Sequence, residues 1–146
     1  MILSNDFREW FGLLNAHSVR YLVVGGYAVA FHGHPRYTKD IDVWVDATQA
    51  NAGRLLDALD AFGFGSLGLE LDDFVLPDRV VQLGRPPNRI DLLTSVSGVE
   101  FDEAWADRIT SESDGVPIHF INVDALRRNK LATGRLQDLA DLEALE

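Results

Sequence analysis

Three aspartates in this sequence have the types and spacing that a metal-binding carboxylate cluster requires. Asp40 and Asp42 alternate with apolar residues in the segment DIDV, and Asp91 lies between apolar residues in the segment RIDLL. Side chains two residues apart on a strand share a face and lie roughly 6 to 7 Å apart. If the two strands are neighbours, Asp91 comes within about 5 Å of the other two carboxylates. The pattern therefore predicts one site that contains three acids.

Such a cluster needs compensating charge. At an effective dielectric constant near 20, two carboxylates about 5 Å apart repel each other by roughly 3 kcal/mol. Divalent cations, a basic neighbour or a bound proton could relieve this repulsion, and a set of oxygen ligands favours Mg²⁺ or Mn²⁺ over Zn²⁺. The alternative is that the aspartates line a solvated strand face. Trp44 would share that face, which argues against simple solvation.

A glycine pair precedes the aspartates. Gly25 and Gly26 follow the apolar segment Tyr21 to Val24, where a strand is predicted to end and a short helix to begin. Bare backbone at this point lets N–H groups approach a phosphate, and the helix dipole favours the negative charge of the phosphate. An ordinary strand-to-helix turn is the alternative. Combined with the carboxylate pair, the glycines predict a site for a metal-held phosphate.

Arg36 and Lys130 are the candidate cations of this site. Lys130 is one of only two lysines in the chain and precedes a predicted helix break at Gly134, so either a contact to a phosphate or a solvated position is open to it. Arg36 could pair bidentately with a phosphate or with one of the aspartates. Thr38 could hydrogen-bond to nearby backbone. Asp138 could orient Lys130 or lie on the surface of the last helix.

Together these motifs resemble the DNA polymerase beta superfamily of nucleotidyltransferases. The resemblance rests on an apolar strand followed by Gly25-Gly26, on the pattern Arg36-x-Thr38-x-Asp40-Ile41-Asp42, and on a later Asp91 between apolar residues. It is closest to the small bacterial branch that includes abortive-infection and toxin–antitoxin nucleotidyltransferases. The tail NKLATGRLQDL also looks like the C-terminal lysine-and-aspartate motif of that branch.

The resemblance implies metal-dependent transfer of a nucleoside monophosphate from a nucleoside triphosphate to a hydroxyl acceptor, with release of pyrophosphate. It implies that Asp40 and Asp42 bind the Mg²⁺ or Mn²⁺ ions that carry the triphosphate, and that Asp91 completes a second metal site and helps to activate the acceptor hydroxyl. The implied nucleotide-binding residues are Gly25, Gly26, Arg36, Thr38 and Lys130.

The identity of the acceptor and of any protein partner stays open at this stage. RNA such as tRNA, a protein and a small molecule are all acceptor classes, and an antitoxin partner or a homodimer is compatible with the sequence. The alternative function is a noncatalytic module that keeps the fold and binds nucleotide or a protein partner.

Composition and charge narrow the class of protein. With 146 residues, 47% of them hydrophobic, the chain matches one domain spanning residues 1–146. It has no cysteine, which excludes disulfides and thiolate zinc sites. We expect a soluble, unprocessed, cytoplasmic protein with no membrane partner, because no targeting or bilayer-length segment is visible. The formal charge of −10 disfavours nonspecific nucleic-acid binding, although basic residues between Arg127 and Arg135 could form a local positive groove.

The elements that must position these residues are predicted to form an α+β fold, a mixed β-sheet flanked by α-helices, and the resemblance implies that this fold is nucleotidyltransferase-like. Strands are predicted at Tyr21 to Val24, from Asp40 to Val45, at Val80 to Leu83, at Arg89 to Leu93 and at Val116 to Val123. Helices are predicted over residues 4 to 17, from a cap at Thr48 to Gly63, and from a cap at Asp124 to about Ala132.

Two further segments complete the prediction. Residues 101 to 115 are interpreted as a short helix and a loop. The last helix is predicted to carry one apolar stripe, which could support a dimer if exposed; the stripe consists of Leu136, Leu139, Leu142 and Leu145.

Overall fold

A computed structural model describes residues 4–33, 40–85 and 88–145 of the chain. In these ranges the protein forms a six-stranded sheet with helices on both faces. The strands are β1 (Tyr21–Val24), β2 (Asp40–Val45), β3 (Val80–Leu83), β4 (Arg89–Leu93), β5 (Ile109–Ser113) and β6 (Val116–Phe120). The helices are α1 (Asn5–Ala16), α2 (Gly25–Phe31), α3 (Gln49–Phe62), α4 (Asp72–Val75), α5 (Phe101–Ala106), α6 (Val123–Thr133) and α7 (Leu136–Ala144). None of the described helices combines the length and apolar character that crossing a membrane requires.

The strand order places β2 between β1 and β4, at the centre of the sheet. The order across the sheet is β3-β4-β2-β1-β6-β5. β2 runs antiparallel to β1 and parallel to β4, and β1 runs parallel to β6. The two edge strands, β3 and β5, are antiparallel to their neighbours. The sheet is therefore mixed, as predicted, and the two strands that carry aspartates are hydrogen-bonded neighbours.

Alternation along β2 separates the two faces of the sheet. Ile41, Val43 and Val45 are buried in the core formed with α1 and α3. Trp44 lies on the opposite face, only 2% exposed, in a second core with residues of α2, α5 and α6. Because residues two apart share a face, Asp42 lies on the side of Trp44. The aspartates therefore continue a covered face of the sheet rather than a solvated one.

Capping side chains explain where three of the described helices begin. The side chain of Thr48 accepts a backbone N–H group of the first turn of α3, as predicted, and the side chain of Ser4 does the same for α1. The predicted cap of α6 at Asp124 is wrong, because the side chain of Asn122 accepts the N–H of Ala125 at 2.9 Å. Helix α6 therefore starts earlier than its apolar pattern indicates.

The interpretation of residues 101 to 115 as a helix and a loop is corrected by the presence of β5. β5 pairs with β6 across a tight turn in which Asp114 and Gly115 both have positive φ, 48° and 83°. An Asp-Gly pair with this geometry is a strong hairpin signal. β5 itself is an edge strand with three of its five residues exposed, so it carries little apolar alternation. The predicted last strand is also shorter, ending at Phe120 instead of Val123.

Part of the predicted apolar stripe of α7 is exposed. Leu136 is 88% exposed and Leu139 is 47% exposed, whereas Leu145 is buried. The side chains that α7 buries in the turns between them are Asp138 and Asp141, at 1% and 2% exposure. A polar contact, described below, orients this helix in place of leucine packing.

Candidate active site

Asp40, Asp42 and Asp91 lie side by side at one end of the central strands. In the parallel pairing of β2 with β4, Asp42 is directly opposite Asp91, and Asp40 is opposite Arg89. Strands in a sheet are about 4.8 Å apart, so the Asp42 and Asp91 side chains start from adjacent backbone positions on one face. The predicted proximity of the three acids is confirmed.

Gly25 brings the start of α2 against Asp42. Val24, the last residue of β1, is paired with Asp42, and Gly25 follows with a φ of +66°. A Cβ atom at Gly25 would lie 2.1 Å from Oδ2 of Asp42, so the carboxylate would have to shift to make room for a side chain. Only glycine therefore allows both the left-handed backbone and the close approach of this turn to the carboxylate.

The acids and glycines open onto a common cavity of about 440 Å³. It is bounded on one side by the β1–α2 turn and on the other by residues of α6 and the α6–α7 connection. Its polar lining consists of Gly25, Gly26, Asp40, Asp42, Asp91, Ser95, Ser97, Asn129, Lys130, Thr133 and Arg135. The volume lies in the range of small-molecule sites.

Arg89 compensates part of the negative charge. Its NH2 group lies 2.7 Å from Oδ2 of Asp40, and its Nε and NH2 donate to the two oxygens of Asp91 at 3.0 and 3.1 Å. Among the described residues, no group of three histidine, aspartate or glutamate side chains is arranged to hold a metal ion directly. Arg89 thus occupies the space between two of the three carboxylates in this arrangement.

Asp42 remains under-compensated. Burial, the charges of Asp91 and Asp40, and a hydrogen bond with Asp91 raise the pKa of Asp42 from its ordinary 3.8 to about 6, and the charge of Lys130 opposes the rise only in part. A group whose charged form is this disfavoured attracts additional positive charge. The all-oxygen donor set and its electrostatics therefore suit a hard divalent cation.

Lys130 lines the opposite wall and is almost fully buried, with 5% exposure. Its Nζ lies 3.2 Å from Oδ1 of Asp138 and 3.0 Å from Oδ2 of Asp141, both on α7. Of the two positions left open for Lys130, the solvated one is wrong. Asp138 contacts Lys130 and does not lie on the helix surface.

The described structure thus gathers six predicted residues around one cavity, namely Gly25, Gly26, Asp40, Asp42, Asp91 and Lys130. Arg36 and Thr38 lie outside the described residues. Sequence reasoning missed that Arg89 pairs with Asp40 and Asp91, and that Thr133 and Arg135 line the cavity. Arg89 precedes Asp91 by two residues on one strand, a spacing that places both on one face and was a usable signal.

Structural comparison identifies the class of fold. A Thermotoga maritima protein described as a nucleotidyltransferase matches with a TM-score of 0.63 and 16% identity, over 94% of this chain and 88% of that chain. The lincosamide antibiotic adenylyltransferase LnuA, in its lincomycin-bound structure, matches with a TM-score of 0.58 and 16% identity, over 99% of this chain and 96% of that chain. An antigenic nucleotidyltransferase-like protein from Paracoccidioides brasiliensis matches with a TM-score of 0.57 and 18% identity, over 99% and 77% of the two chains. The fold is that of the nucleotidyltransferases.

Sequence comparison gives the family. Residues 5–146 match the family described as nucleotidyltransferase of unknown function, DUF6036, and the chain belongs to that family. A search of curated proteins finds no match to the chain. The protein is thus an enzyme of the nucleotidyltransferase class, in agreement with the resemblance seen in its motifs.

Proposed function

We propose that this protein is a metal-dependent nucleotidyltransferase that moves a nucleoside monophosphate from a nucleoside triphosphate to a hydroxyl acceptor and releases pyrophosphate. The observation that carries the proposal is the pairing of Asp42 opposite Asp91, with Asp40 beside them, at a cavity that also exposes the Gly25 and Gly26 backbone. Enzymes of this class generally use divalent metal ions, and the carboxylate oxygens present here fit Mg²⁺ or Mn²⁺.

Asp40, Asp42 and Asp91 would hold the metal. Bound there, a divalent cation supplies Lewis-acid stabilisation of the phosphoryl oxygens and orients the reacting groups. For the carboxylates to bind it, the Arg89 guanidinium must give up its contacts to Asp40 and Asp91. Arg89 then acts as a placeholder that compensates the acids before the substrate arrives.

The transfer itself needs little covalent participation from the protein. The acceptor oxygen forms a bond to the α-phosphorus, and the bond from the α-phosphorus to the β-bridging oxygen breaks, so that pyrophosphate leaves with the electron pair. The acceptor proton passes to a carboxylate of the cluster, for which Asp91 is our candidate. Backbone N–H groups of Gly25 and Gly26 contact outer phosphate oxygens, and Lys130 provides positive charge on the opposite wall.

The acceptor class is open to direct test. The formal charge of −10 opposes the approach of a large polyanion such as tRNA. One structural neighbour is an adenylyltransferase of lincosamide antibiotics. A small hydroxylated molecule is therefore our first acceptor class, ahead of tRNA and protein. An antitoxin partner and a homodimer stay predictions from the sequence.

The deciding experiment is a labelling assay with purified protein. Each of the four α-labelled nucleoside triphosphates is incubated with the protein, Mg²⁺ or Mn²⁺, and a lysate separated into small-molecule, RNA and protein fractions. We expect metal-dependent label in one fraction, equimolar release of pyrophosphate, and loss of both with Asp42→Asn. Failure to bind any triphosphate and to label any fraction would rule the proposal out.

A noncatalytic binding module is the second candidate, and one specific observation favours it. Arg89 already satisfies two of the three carboxylates, and the described residues hold no ready-made three-ligand metal site. Calorimetry separates the two functions: a module binds nucleotide without turning it over, and its affinity does not depend on added Mg²⁺. Metal-dependent turnover that Asp42→Asn abolishes contradicts the module.

A further inference from the structure

One buried carboxylate organises the wall of the cavity that faces the aspartates. Asp138, only 1% exposed, accepts a hydrogen bond from Thr133 Oγ1 at 2.7 Å and from Lys130 Nζ at 3.2 Å. It also accepts the Nε of Arg135 at 2.7 Å and its NH2 at 3.3 Å. All three donors line the cavity, whereas Asp138 itself does not. A single acid thus presents three donors towards the site.

Local sequence explains how the α6–α7 connection reaches this geometry. Gly134 ends α6 with a φ of +65°, which turns the chain sharply and makes Arg135 the residue before α7. The backbone N–H of Arg135 donates to Oδ2 of Asp138, one turn into α7, at 3.2 Å. Backbone and side chain of Arg135 are therefore fixed by the same carboxylate.

Arg135, unlike Lys130, has N–H donors that a ligand in the cavity could contact. Lys130 is enclosed between two carboxylates, but the Arg135 side chain is 75% exposed. A guanidinium has five N–H donors, and Asp138 receives two hydrogen bonds from this one. The other N–H groups of Arg135 belong to an exposed side chain that lines the cavity. The positive charge of the Arg135–Asp138 pair is therefore accessible from solvent, whereas Asp138 is buried.

The charge of Arg135 also interacts with that of Asp42, one of the three aspartates of the site. The pKa of Arg135 is raised first by its hydrogen bond and ion pair with Asp138, and then by the charges of Asp42 and Asp141. Burial would by itself raise the pKa of Asp138, but hydrogen bonds from Arg135, Thr133 and Lys130 outweigh it and lower that pKa well below its usual range. Both shifts favour the ionised form of each group, in agreement with the contacts between the Arg135 guanidinium and the Asp138 carboxylate.

We propose that Arg135 binds the outer phosphates of the nucleoside triphosphate and the departing pyrophosphate, and that Asp138 is the positioning residue that holds Arg135 for this contact. This inference rests on the proposed function. The α-phosphate must lie beside the aspartates to react, so the β- and γ-phosphates extend into the rest of the cavity. A planar guanidinium pairs with phosphate oxygens bidentately, a geometry that lysine lacks.

Pyrophosphate is the probe that tests the inference, because it carries no base and reports the outer-phosphate contact alone. Titration calorimetry with magnesium pyrophosphate compares wild type with Arg135→Ala, Arg135→Lys and a control, Arg128→Ala. Arg128 is a partly exposed arginine of α6 that pairs with Glu103 and does not line the cavity. We expect Arg135→Ala to weaken pyrophosphate binding by about tenfold or more, the value of one charge-assisted contact. Arg135→Lys should recover only part of the loss, and Arg128→Ala should bind as wild type does.

A second comparison uses the triphosphate that labels best and its monophosphate. Arg135→Ala should weaken the triphosphate as much as pyrophosphate and leave the monophosphate within about twofold of wild type. Equal weakening of both nucleotides, or wild-type affinity of Arg135→Ala for pyrophosphate, overturns the assignment. If wild type transfers nucleotide while this variant keeps full pyrophosphate affinity, only this inference fails. If wild type binds neither triphosphate nor pyrophosphate, the proposed function fails together with it.

Asp138→Asn tests the positioning role. The substitution keeps the size of the side chain but removes the charge that fixes the guanidinium. We expect it to weaken pyrophosphate binding as Arg135→Ala does, and the double variant to lose no more than either single one, because both changes remove the same contact. Additive losses contradict the positioning role. Thermal unfolding of each variant identifies any loss that comes from the fold, and Arg135→Ala, at an exposed side chain, tests the phosphate contact without this complication.

Discussion

Replacing Asp42 with asparagine should stabilise the metal-free protein while it removes the activity. The carboxyl group is crowded: burial and the charges of Asp91 and Asp40 raise its pKa from 3.8 to about 6. Each unit of pKa corresponds to about 1.4 kcal/mol, so the ionised form of Asp42 destabilises the fold by up to about 3 kcal/mol. Partial solvent exposure of the side chain reduces the expected gain to about 2 kcal/mol.

Asparagine suits the position for two reasons. It has the shape of aspartate, so the close approach of Gly25 is preserved. Its amide N–H can donate to Asp91, as the protonated carboxyl of Asp42 does. For a domain of this size, about 2 kcal/mol corresponds to a rise in Tm of roughly 4 to 8 °C.

The pH dependence of the unfolding free energy should show that ionisation of Asp42 destabilises the folded protein. Because the folded-state pKa of Asp42 lies above its unfolded value, protonation favours the folded protein. This contribution to wild-type stability therefore increases as the pH falls from above 6 to below 3.8. The asparagine variant lacks this increase. Its advantage over wild type should be full at pH 8, about half lost near pH 5, and absent below pH 4.

Urea unfolding followed by circular dichroism, with chelator present, measures both free energies across this pH range. Asp57→Asn, at an exposed position of α3, is the matched control for loss of one negative charge and should show no such pH-dependent gain. The order should reverse when magnesium triphosphate is added, because wild type gains binding energy that the variant lacks. An asparagine variant that is less stable than wild type at pH 8 without metal would refute the reasoning.

Three other substitutions test separate parts of the site. Arg89→Met should lower the metal-free Tm and enlarge the rise in Tm on addition of Mg²⁺, because the acids then lack the cation that compensates them. Differential scanning fluorimetry measures both Tm values, and an unchanged response to Mg²⁺ would contradict this role of Arg89. Lys130→Met should cost about 3 to 5 kcal/mol of unfolding free energy in urea, because two buried carboxylates of α7 lose their common partner. A loss below about 1 kcal/mol would show that other groups compensate these carboxylates. Gly25→Ala should abolish triphosphate binding in calorimetry and cost about 1 to 2 kcal/mol of stability. The reason is that its Cβ would overlap Asp42 and that its φ is +66°. Triphosphate binding equal to that of wild type would show that the turn can rearrange.

The central part of the site could be predicted because it depends on local spacing and one strand pairing. Alternation in DIDV puts Asp40 and Asp42 on one face, and the glycine pair identifies where β1 turns into α2. Only the adjacency of Asp91 needed tertiary information. A mixed sheet in which two apolar strands each carry an acid towards one cleft made that adjacency the simplest arrangement, and the parallel pairing of β2 with β4 bears it out.

Elements held by polar contacts were harder to predict. β5 shows no apolar alternation because it lies at an edge, and its position depends on the Asp114-Gly115 turn and on pairing with β6. In α7, leucines at a helical spacing indicated one apolar stripe, and two of these leucines, Leu136 and Leu139, are exposed. Hydrophobic periodicity carries no information on which charged residues will find buried partners, so it did not indicate the burial of Asp138 and Asp141.

The burial of charge in α7 connects the fold to the proposed chemistry. A buried ion pair usually stabilises a protein no more than well-packed apolar side chains of similar size, because desolvation offsets the attraction. Burying Asp138 and Asp141 around Lys130 while leucines of the same helix face solvent is therefore a poor way to stabilise α7. It is an effective way to fix cations at a cavity, since the carboxylates pair with Lys130 and Arg135 on the wall that faces the aspartates of β2 and β4. The polar face of α7 is thus better explained by the electrostatics of the site than by the stability of the domain.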